Sequence, residues 1–243
     1  MSQQEKFKKS GYKAIYDIFL DIFFPKRCLQ CGKSGTDLCS DCANLIEGLR
    51  TPVCFDCGKI TQFGQFCADC RRKSKSSLKG IIVSAGYESG PTKEIIHHLK
   101  YSGFTELASL LGELIFQRLS KNKPPGDLVI APAPLHGKRE AERGFNQSEL
   151  IARYVSKRLG IPGGYALSKI KKTESQVKLD KAERIKNLSG AFRCTDKELI
   201  FKKTVLLIDD VTTTGTTLEE CAKVLKQNGA KEVWGVVVAS ARY

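Results

Sequence analysis

Residues 205–218 carry side chains that suit a phosphorylated sugar. An uninterrupted apolar run ends in two carboxylates, Asp209 and Asp210, and a threonine-rich turn around Gly215 follows. Because ligands of open α/β sheets lie at the carboxyl ends of strands, and helix N-termini offer N–H donors, we expect residues 212–217 to face an anion. The carboxylates can accept hydrogen bonds from sugar hydroxyls. The alternative is a solvated turn whose first threonine caps the helix.

The elements around this turn follow from the same stretch. The apolar run predicts a buried parallel strand, and apolar residues then recur at helical spacing from Leu218 to Leu225. No Gly-x-x-x-x-Gly-Lys-Ser/Thr pattern occurs in the chain, which excludes a P-loop for nucleoside triphosphates. Threonine hydroxyls and loop amides can instead surround a terminal phosphate without a lysine.

These fourteen residues resemble the phosphoribosyl pyrophosphate signature of type I phosphoribosyltransferases. The resemblance implies that the two acids hold the ribose hydroxyls and that the loop holds the 5′-phosphate. It also implies Mg²⁺, carried on oxygens of the ligand rather than by the protein. The residues implied to bind the ligand here are Asp209, Asp210, Val211, Thr212, Thr213, Thr214, Gly215 and Thr216.

Eight of the ten cysteines form four Cys-x-x-Cys pairs, a spacing that lets two thiolates reach one tetrahedral ion from a tight turn. They predict two structural Zn²⁺ sites. Sequential pairing needs only local loops, and cross-braced pairing stays open. Disulfides and an iron–sulfur cluster are the alternatives, but no cleavable signal sequence precedes the cysteines, so we expect reduced thiols and a cytoplasmic protein. The predicted ligands are Cys28, Cys31, Cys39, Cys42, Cys54, Cys57, Cys67 and Cys70.

The chain is strongly basic. Two Zn(Cys)₄ units, each carrying −2, bring the formal charge from +14 to +10. A cation cluster without acids follows the last cysteine pair, which favours an anionic partner such as single-stranded nucleic acid. Phe55, Phe63 and Phe66 could stack bases, although a small core of the zinc module is the preferred interpretation. The clustered cations are Arg71, Arg72, Lys73, Lys75 and Lys79.

Strand and helix patterns alternate from Gly80 onward and predict an α/β domain with a parallel sheet flanked by helices. We expect strands at 81–87, 127–131, 205–208 and 233–239. We expect one helix that begins after Pro91, a second that ends at about Ser120, a third over 147–159, and a fourth from the threonine turn to Gly229. Residues 12–24 predict a helix too short and too charged to span a bilayer, which packs on the zinc module or seats on a partner or membrane surface.

The domain organisation follows from these patterns. We expect an N-terminal helical segment at 1–25, a double Cys₄ module at 26–72, a basic linker at 73–79 and the α/β domain at 80–243.

Two further segments carry candidate ligand contacts. The loop 131–147 follows a strand and holds Lys138, Arg139 and Arg143, which could bind a pyrophosphate. The polar segment 171–187 is typical of a lid that excludes water, and it is otherwise a charged surface element. Its candidates are Lys172 and Arg184 as catalytic residues and Gln176 as a ligand contact.

The order of these motifs resembles the ComF family of competence proteins over residues 23–239. Besides the cysteine pairs and the acid signature, the resemblance rests on Leu-Lys-Tyr at 99–101, Arg-Gly-Phe-Asn-Gln at 143–147, Thr-x-x-Gln at 173–176, and Arg184 with Asn187. It implies a phosphoribosyltransferase-like fold, a role in natural transformation, single-stranded DNA as a partner on the cytoplasmic side, and a partner helicase.

Two classes of function are compatible with this sequence. The first is a DNA-uptake protein that binds phosphoribosyl pyrophosphate without turnover. The second is an active phosphoribosyltransferase of nucleotide metabolism that transfers phosphoribose to a nitrogen acceptor. Fold alone does not separate them.

Overall fold

The computed structural model describes residues 26–46, 48, 51–88, 90–171, 173 and 181–242. The helix predicted at 12–24 lies outside these residues. The chain divides into two compact units, Met1–Leu45 and Ile46–Tyr243. The division therefore falls between the two groups of four cysteines.

The first unit, where it is described, is a small loop structure around Cys28, Cys31, Cys39 and Cys42. Helix α1 (Ser40–Ala43) begins directly after the third of these cysteines. Cys28, Cys39 and Cys42 are buried and pack with Leu38.

The second unit is built on a parallel sheet. Its strands, with a separate short pair, are β1 (Gly80–Gly86), β2 (Leu128–Pro132), β3 (Leu167–Lys169), β4 (Phe192–Cys194), β5 (Thr204–Thr212) and β6 (Glu232–Ser240). Within the described residues the main sheet has the order β1-β6-β5-β2, and every pairing in it is parallel. β3 and β4 form an antiparallel pair. The parallel sheet flanked by helices is as the sequence predicts.

The helices of the second unit alternate with its strands. They are α2 (Ala68–Ser74), α3 (Thr92–Tyr101), α4 (Leu107–Lys121), α5 (Gly137–Arg143), α6 (Gln147–Leu159), α7 (Lys181–Leu188), α8 (Lys197–Ile200) and α9 (Thr216–Gln227). The predicted helices correspond to α3, α4, α6 and α9, and the predicted strands to β1, β2, β5 and β6. α2, α5, α8, β3 and β4 are not among the predictions, and α7 lies in the segment predicted as a lid or a charged surface element.

Each face of the sheet is covered. Val205 and Leu207 of β5 share a core with Leu218 and Leu225 of α9. Because side chains alternate along a strand, Leu206 and Ile208 point to the other face, where α4 and α6 pack on the strands and on each other. The burial of strand side chains on both faces explains their continuous apolar sequence.

The second cysteine group belongs to the core of the large unit. Cys54, Phe55, Phe66 and Leu78 are buried in the same cluster as Ile81 of β1. Within 73–79, a segment with the composition of a linker, Ser77 N–H donates to a carboxylate oxygen of α9 at 2.8 Å. Residues 51–79 therefore pack as part of the α/β unit.

Among the described residues, no helix has the length and apolarity needed to cross a membrane.

Candidate functional site

The acid pair lies at the carboxyl end of β5, as predicted. Ser148 Oγ donates to Asp209 Oδ1 at 2.8 Å, and the Asp210 N–H donates to the same oxygen at 2.9 Å. Lys100 Nζ lies 2.6 Å from Asp210 Oδ2. Asp210 has a side chain only 5% exposed, so this ion pair is largely removed from water.

Burial and neighbouring charges shift the pKa values of Asp209 and Lys100. Desolvation, together with the neighbouring Asp210 carboxylate, raises the pKa of Asp209 to about 7, despite the hydrogen bond from Ser148. Burial alone would lower the pKa of Lys100, but the Asp210 carboxylate raises it above its usual value. One protonated lysine therefore faces a carboxylate pair, of which Asp209 can exchange a proton near neutral pH.

The threonine turn sits between β5 and α9. Gly215 precedes α9 with a φ of 78°, a conformation that side chains other than glycine seldom adopt, and its N–H donates to Thr212 Oγ1 at 3.1 Å. Thr214 and Thr216 bring their hydroxyl oxygens within 2.8 Å of each other. The twelve-residue helix α9 thus directs its first N–H groups at the turn where the predicted anion would bind.

The threonine turn and the start of α9 are also linked by hydrogen bonds to the second cysteine group and to the basic segment that follows it. Arg242 Nε donates to the carbonyl oxygen of Thr213 at 3.2 Å, and its Nη1 donates to the carbonyl oxygen of Phe55 at 2.9 Å. The guanidinium also lies 4.5 Å from the centroid of the Phe55 ring. In the first turn of α9, Glu219 accepts from Ser76 Oγ at 2.5 Å. The threonine turn is therefore held in place by residues distant in sequence.

The loop after β2 reaches the same edge of the sheet, because β2 and β5 are parallel neighbours. Its residues 137–143 form α5, and His136 caps that helix by accepting from the Lys138 N–H at 3.2 Å. Arg143 Nη1 donates to Gln147 Oε1 at 2.5 Å. Lys138 is exposed, with Nζ 3.9 Å from Glu142 on its own helix. Of Arg143 and Lys138, only Arg143 has a described contact with a residue near the acid pair.

Lys169 is a further cation of this region. Burial, and next the positive charge of exposed Arg139, lower the pKa of Lys169, while the Asp209 carboxylate raises it. Its Nζ donates to Thr173 Oγ1 at 2.7 Å. Lys169 therefore lies within electrostatic range of both the predicted acid and the predicted arginine.

Four residues of the site are not among the sequence predictions, namely Lys100, Ser148, Lys169 and Arg242. The Leu-Lys-Tyr motif was a signal for Lys100, since a lysine beside the buried apolar face of a helix is expected to have a buried partner. Ser148 directly follows the Arg-Gly-Phe-Asn-Gln motif. Two predicted residues, Lys172 and Gln176, lie outside the described residues. Arg184 lies in α7, and its side chain is also outside what the structure describes.

The cysteines form two clusters of four, and in each the four sulfur atoms lie within 4.8 Å of one another. The Cys31 and Cys39 sulfurs are 3.7 Å apart, and the Cys57 and Cys67 sulfurs are 3.6 Å apart. Four sulfurs at about 2.3 Å from one zinc ion are separated by roughly 3.8 Å, so both clusters fit tetrahedral Zn²⁺. The pairing is sequential, with residues 28–42 forming one site and residues 54–70 the other.

In each cluster, backbone hydrogen bonds lower the pKa of one cysteine. A hydrogen bond from the Cys39 N–H lowers the pKa of Cys28 to about 6. The backbone of Cys70 lowers the pKa of Cys67 to about 7. Zinc bound in the first cluster would supply a structural cross-link in a unit with few buried apolar residues.

The aromatic residues of the second cysteine group are core residues. Phe55 and Phe66 are 3% and 8% exposed. Phe63 packs edge-on against Trp234 at 6.4 Å between ring centroids. Phe55 and Phe66 are therefore core residues, but the core that they join is that of the α/β unit rather than a separate small core of the zinc module.

Two family models match the chain. Residues 19–71 match a double zinc ribbon domain, and residues 146–242 match a phosphoribosyl transferase domain. The first match spans both cysteine clusters, and the second includes α6, the acid pair and the threonine turn.

Several relatives match most of the chain. Competence protein F of Haemophilus influenzae is 32% identical over 89% of this chain and 99% of its own length. The DNA utilization protein YhgH of Escherichia coli strain K12 is 31% identical over 81% of this chain and 88% of its own. Competence protein ComFC of Bacillus subtilis is 29% identical over 84% and 83%.

Proposed function

The chain belongs to the family of Competence protein F, and from that membership we propose that it binds phosphoribosyl pyrophosphate with Mg²⁺ and handles single-stranded DNA in the cytoplasm during natural transformation. It is a competence-related protein with a phosphoribosyltransferase-like domain and two zinc ribbons. Ligand binding and DNA handling are the proposed parts. The relatives named for competence and DNA utilization support the DNA role.

The observation that carries the ligand proposal is the acid pair held beside the threonine turn. Asp209 and Asp210 would accept hydrogen bonds from the two ribose hydroxyls, since carboxylates are acceptor-only groups. The turn around Gly215, with the N-terminus of α9, would bind the 5′-phosphate. Mg²⁺ would offset the charge of the pyrophosphate through oxygens of the ligand.

The remaining contacts belong to the flanking cations. Arg139 and Arg143, on the loop that follows β2, would bind the pyrophosphate, with Lys138 available at the exposed side of α5. We also propose that Lys172, Gln176 and Arg184 approach the ligand from the segment 171–187. A helicase of DNA uptake is the partner that this role would require.

A second function is favoured by the proton chemistry of the site. Asp209, with a pKa raised to about 7, can exchange a proton near neutral pH, and Lys169, whose pKa is lowered by burial, lies in the same region. Such groups suit the transfer of phosphoribose to a nitrogen acceptor, which must lose a proton. Release of pyrophosphate from the sugar donor, measured with a panel of nucleobases and repeated with single-stranded DNA, would separate an enzyme from a binding protein.

The ligand proposal is tested by calorimetric titration with phosphoribosyl pyrophosphate and Mg²⁺. We expect the double variant Asp209→Asn, Asp210→Asn to lose binding, because each hydrogen bond to a charged acceptor contributes roughly 1.5–3 kcal/mol. Asp127→Asn is the matched control, since Asp127 is exposed at the opposite end of β2 from the loop. Zinc content should be unchanged in all variants. Wild-type affinity in the double variant would contradict the assignment.

A further inference from the structure

The C-terminal end of α3 presents a group of rings to solvent. Tyr101 is 68% exposed and Phe104 is 42% exposed. The Tyr101 ring lies 4.8 Å from that of His97, tilted by 46°, and the Phe104 ring lies 5.9 Å from that of His98. We call these four residues the rim surface. A cluster of rings this exposed contributes little to the core, so its arrangement needs another reason.

A cation accompanies the rings. The guanidinium carbon of Arg143 lies 5.5 Å from the centroid of the Tyr101 ring. Lys138 and Arg139 are exposed on the same helix as Arg143. The rim surface therefore combines flat apolar faces with positive charge, the combination that binds a single-stranded nucleic acid through base stacking and phosphate contacts.

The rim surface is joined directly to the acid pair. Tyr101 follows Lys100, whose Nζ contacts Asp210 at 2.6 Å. On the other side, Arg143 donates to Gln147, the neighbour of the Ser148 that donates to Asp209. Tyr101 is thus the sequence neighbour of a residue that contacts Asp210, and Arg143 contacts the sequence neighbour of a residue that contacts Asp209. A molecule on the rim surface would lie beside the ligand site.

We propose that the rim surface binds the bases of a single strand of nucleic acid, with Tyr101 and Phe104 as stacking platforms. This rests on the proposed DNA role and gives it a location. The zinc module is a poorer location for stacking because Phe55 and Phe66 are buried. The strand then runs past the carboxylates, and its phosphates meet the cations of α5.

The experiment compares two oligomers of equal length, an oligo-dT and an abasic strand with the same phosphates and no bases. The wild-type protein should bind oligo-dT more tightly than the abasic strand. Tyr101→Ala and Phe104→Ala should each weaken oligo-dT binding by about 5- to 100-fold, the range expected for one stacked base. Abasic affinity should stay within about twofold, and Tyr101→Phe, which keeps the ring, should retain binding.

Phe201→Ala is the matched control. Phe201 is 56% exposed, with Lys202 Nζ 5.3 Å from its ring centroid, so it repeats the pairing of a ring with a cation. It precedes the start of β5, at the opposite end of that strand from the acid pair. We expect Phe201→Ala to bind both oligomers as the wild type does.

Each outcome tests a different part of the proposal. If the wild type prefers oligo-dT and the rim variants keep that preference, the location is wrong while the DNA role stands. If the wild type binds neither oligomer, the DNA role fails and the rim assignment fails with it, while the calorimetric test of ligand binding is unaffected. Free thymine and unlabelled oligo-dT can also be compared as competitors at the same concentration of bases. If free thymine displaces the bound oligo-dT as effectively as unlabelled oligo-dT does, the rim surface is a site for a free acceptor base and the proposal is overturned.

Discussion

Asp209 is a residue whose burial lowers the stability of the fold at neutral pH. Its carboxyl loses water on folding and lies next to a second carboxylate, and these two effects raise its pKa to about 7. An ordinary surface aspartate titrates near 4. In the folded protein the group therefore holds its proton over a pH range in which the unfolded chain has released it.

This difference predicts a pH-dependent gain in stability for Asp209→Asn. Between about pH 4 and pH 7 the folded state binds more protons than the unfolded state, so wild-type stability falls as the pH rises through that window. The amide cannot ionise, and its oxygen can still accept from Ser148. We expect a melting temperature on the order of 5 °C above wild type at pH 8 and a smaller gain at pH 5.

Thermal unfolding followed by circular dichroism at the two pH values measures this. Asp127→Asn, on an exposed residue, serves as the comparison. An equal gain at both pH values would mean that the carboxyl titrates normally.

At the residue scale the sequence identified the groups with distinctive local spacing and missed the groups that reach them from elsewhere. The acid pair, the threonines and the eight cysteines lie in compact motifs, so their chemistry is legible. Ser148 meets Asp209 from 61 residues away, and Arg242 meets Phe55 from 187 residues away. Such contacts depend on the packing of whole elements, for which a single sequence carries no local pattern.

At the scale of elements, α3 is fastened to the sheet edge by a polar contact in addition to its apolar face. Ile95, Ile96 and Leu99 are buried, and Lys100 then extends to Asp210 at the end of β5. A buried charge that loses its partner is costly, whereas an exposed pair contributes little. The position of α3 and the charge state of the acid pair are therefore linked.

Replacing Lys100 should reveal that link. We expect Lys100→Met to lower the free energy of unfolding by roughly 2–4 kcal/mol, because Asp210 is left buried beside a second carboxylate. Lys93→Met on the same helix should cost less than about 1 kcal/mol, since Lys93 pairs with Glu88 in an exposed position.

Denaturant unfolding of both variants supplies the values. Adding Asp210→Asn to Lys100→Met should restore part of the loss, because it removes the unpaired charge. If Lys100→Met and Lys93→Met cost the same, the pair with Asp210 carries no special weight.

Long elements with a regular apolar pattern were predicted from the sequence, whereas short or irregular elements were not. β5 and β6 carry long apolar runs, and α6 begins after Asn146 and ends at Gly160, which are strong boundary residues. β3 and β4 have three residues each and include Lys169 and Arg193, so no alternation marks them. Helix α5 starts at Gly137 after a proline-rich stretch, where composition favours a loop.

At the scale of the whole molecule, the two zinc ribbons differ in what they support. The first is formed within the unit Met1–Leu45, and the second contributes Cys54, Phe55 and Phe66 to the core of Ile46–Tyr243. Each ribbon has two Cys-x-x-Cys pairs, and the distinction arises from the burial of the apolar residues around them.

Removal of one zinc ligand from each ribbon tests this asymmetry. We expect Cys57→Ser to lower the melting temperature of the α/β unit by several degrees and to weaken phosphoribosyl pyrophosphate binding, because Arg242 links Phe55 to the threonine turn. Cys31→Ser should leave both properties near wild type, since its cluster belongs to the other compact unit.

Zinc content by mass spectrometry confirms that each variant has lost one ion. Calorimetry and thermal unfolding then give the two readouts. An equal loss from the two variants would contradict the different roles of the ribbons.

The strand order β1-β6-β5-β2 also determines when the sheet can be completed during synthesis. β6 is the last of the described strands to be translated, yet it lies between β1 and β5 and pairs with both. Until it leaves the ribosome, β1 lacks the strand that it pairs with among the described strands of the main sheet, and β5 has one open edge. A nascent or prematurely terminated chain therefore exposes two unpaired strand edges, which makes it a natural client for chaperones and a poor candidate for survival as a fragment.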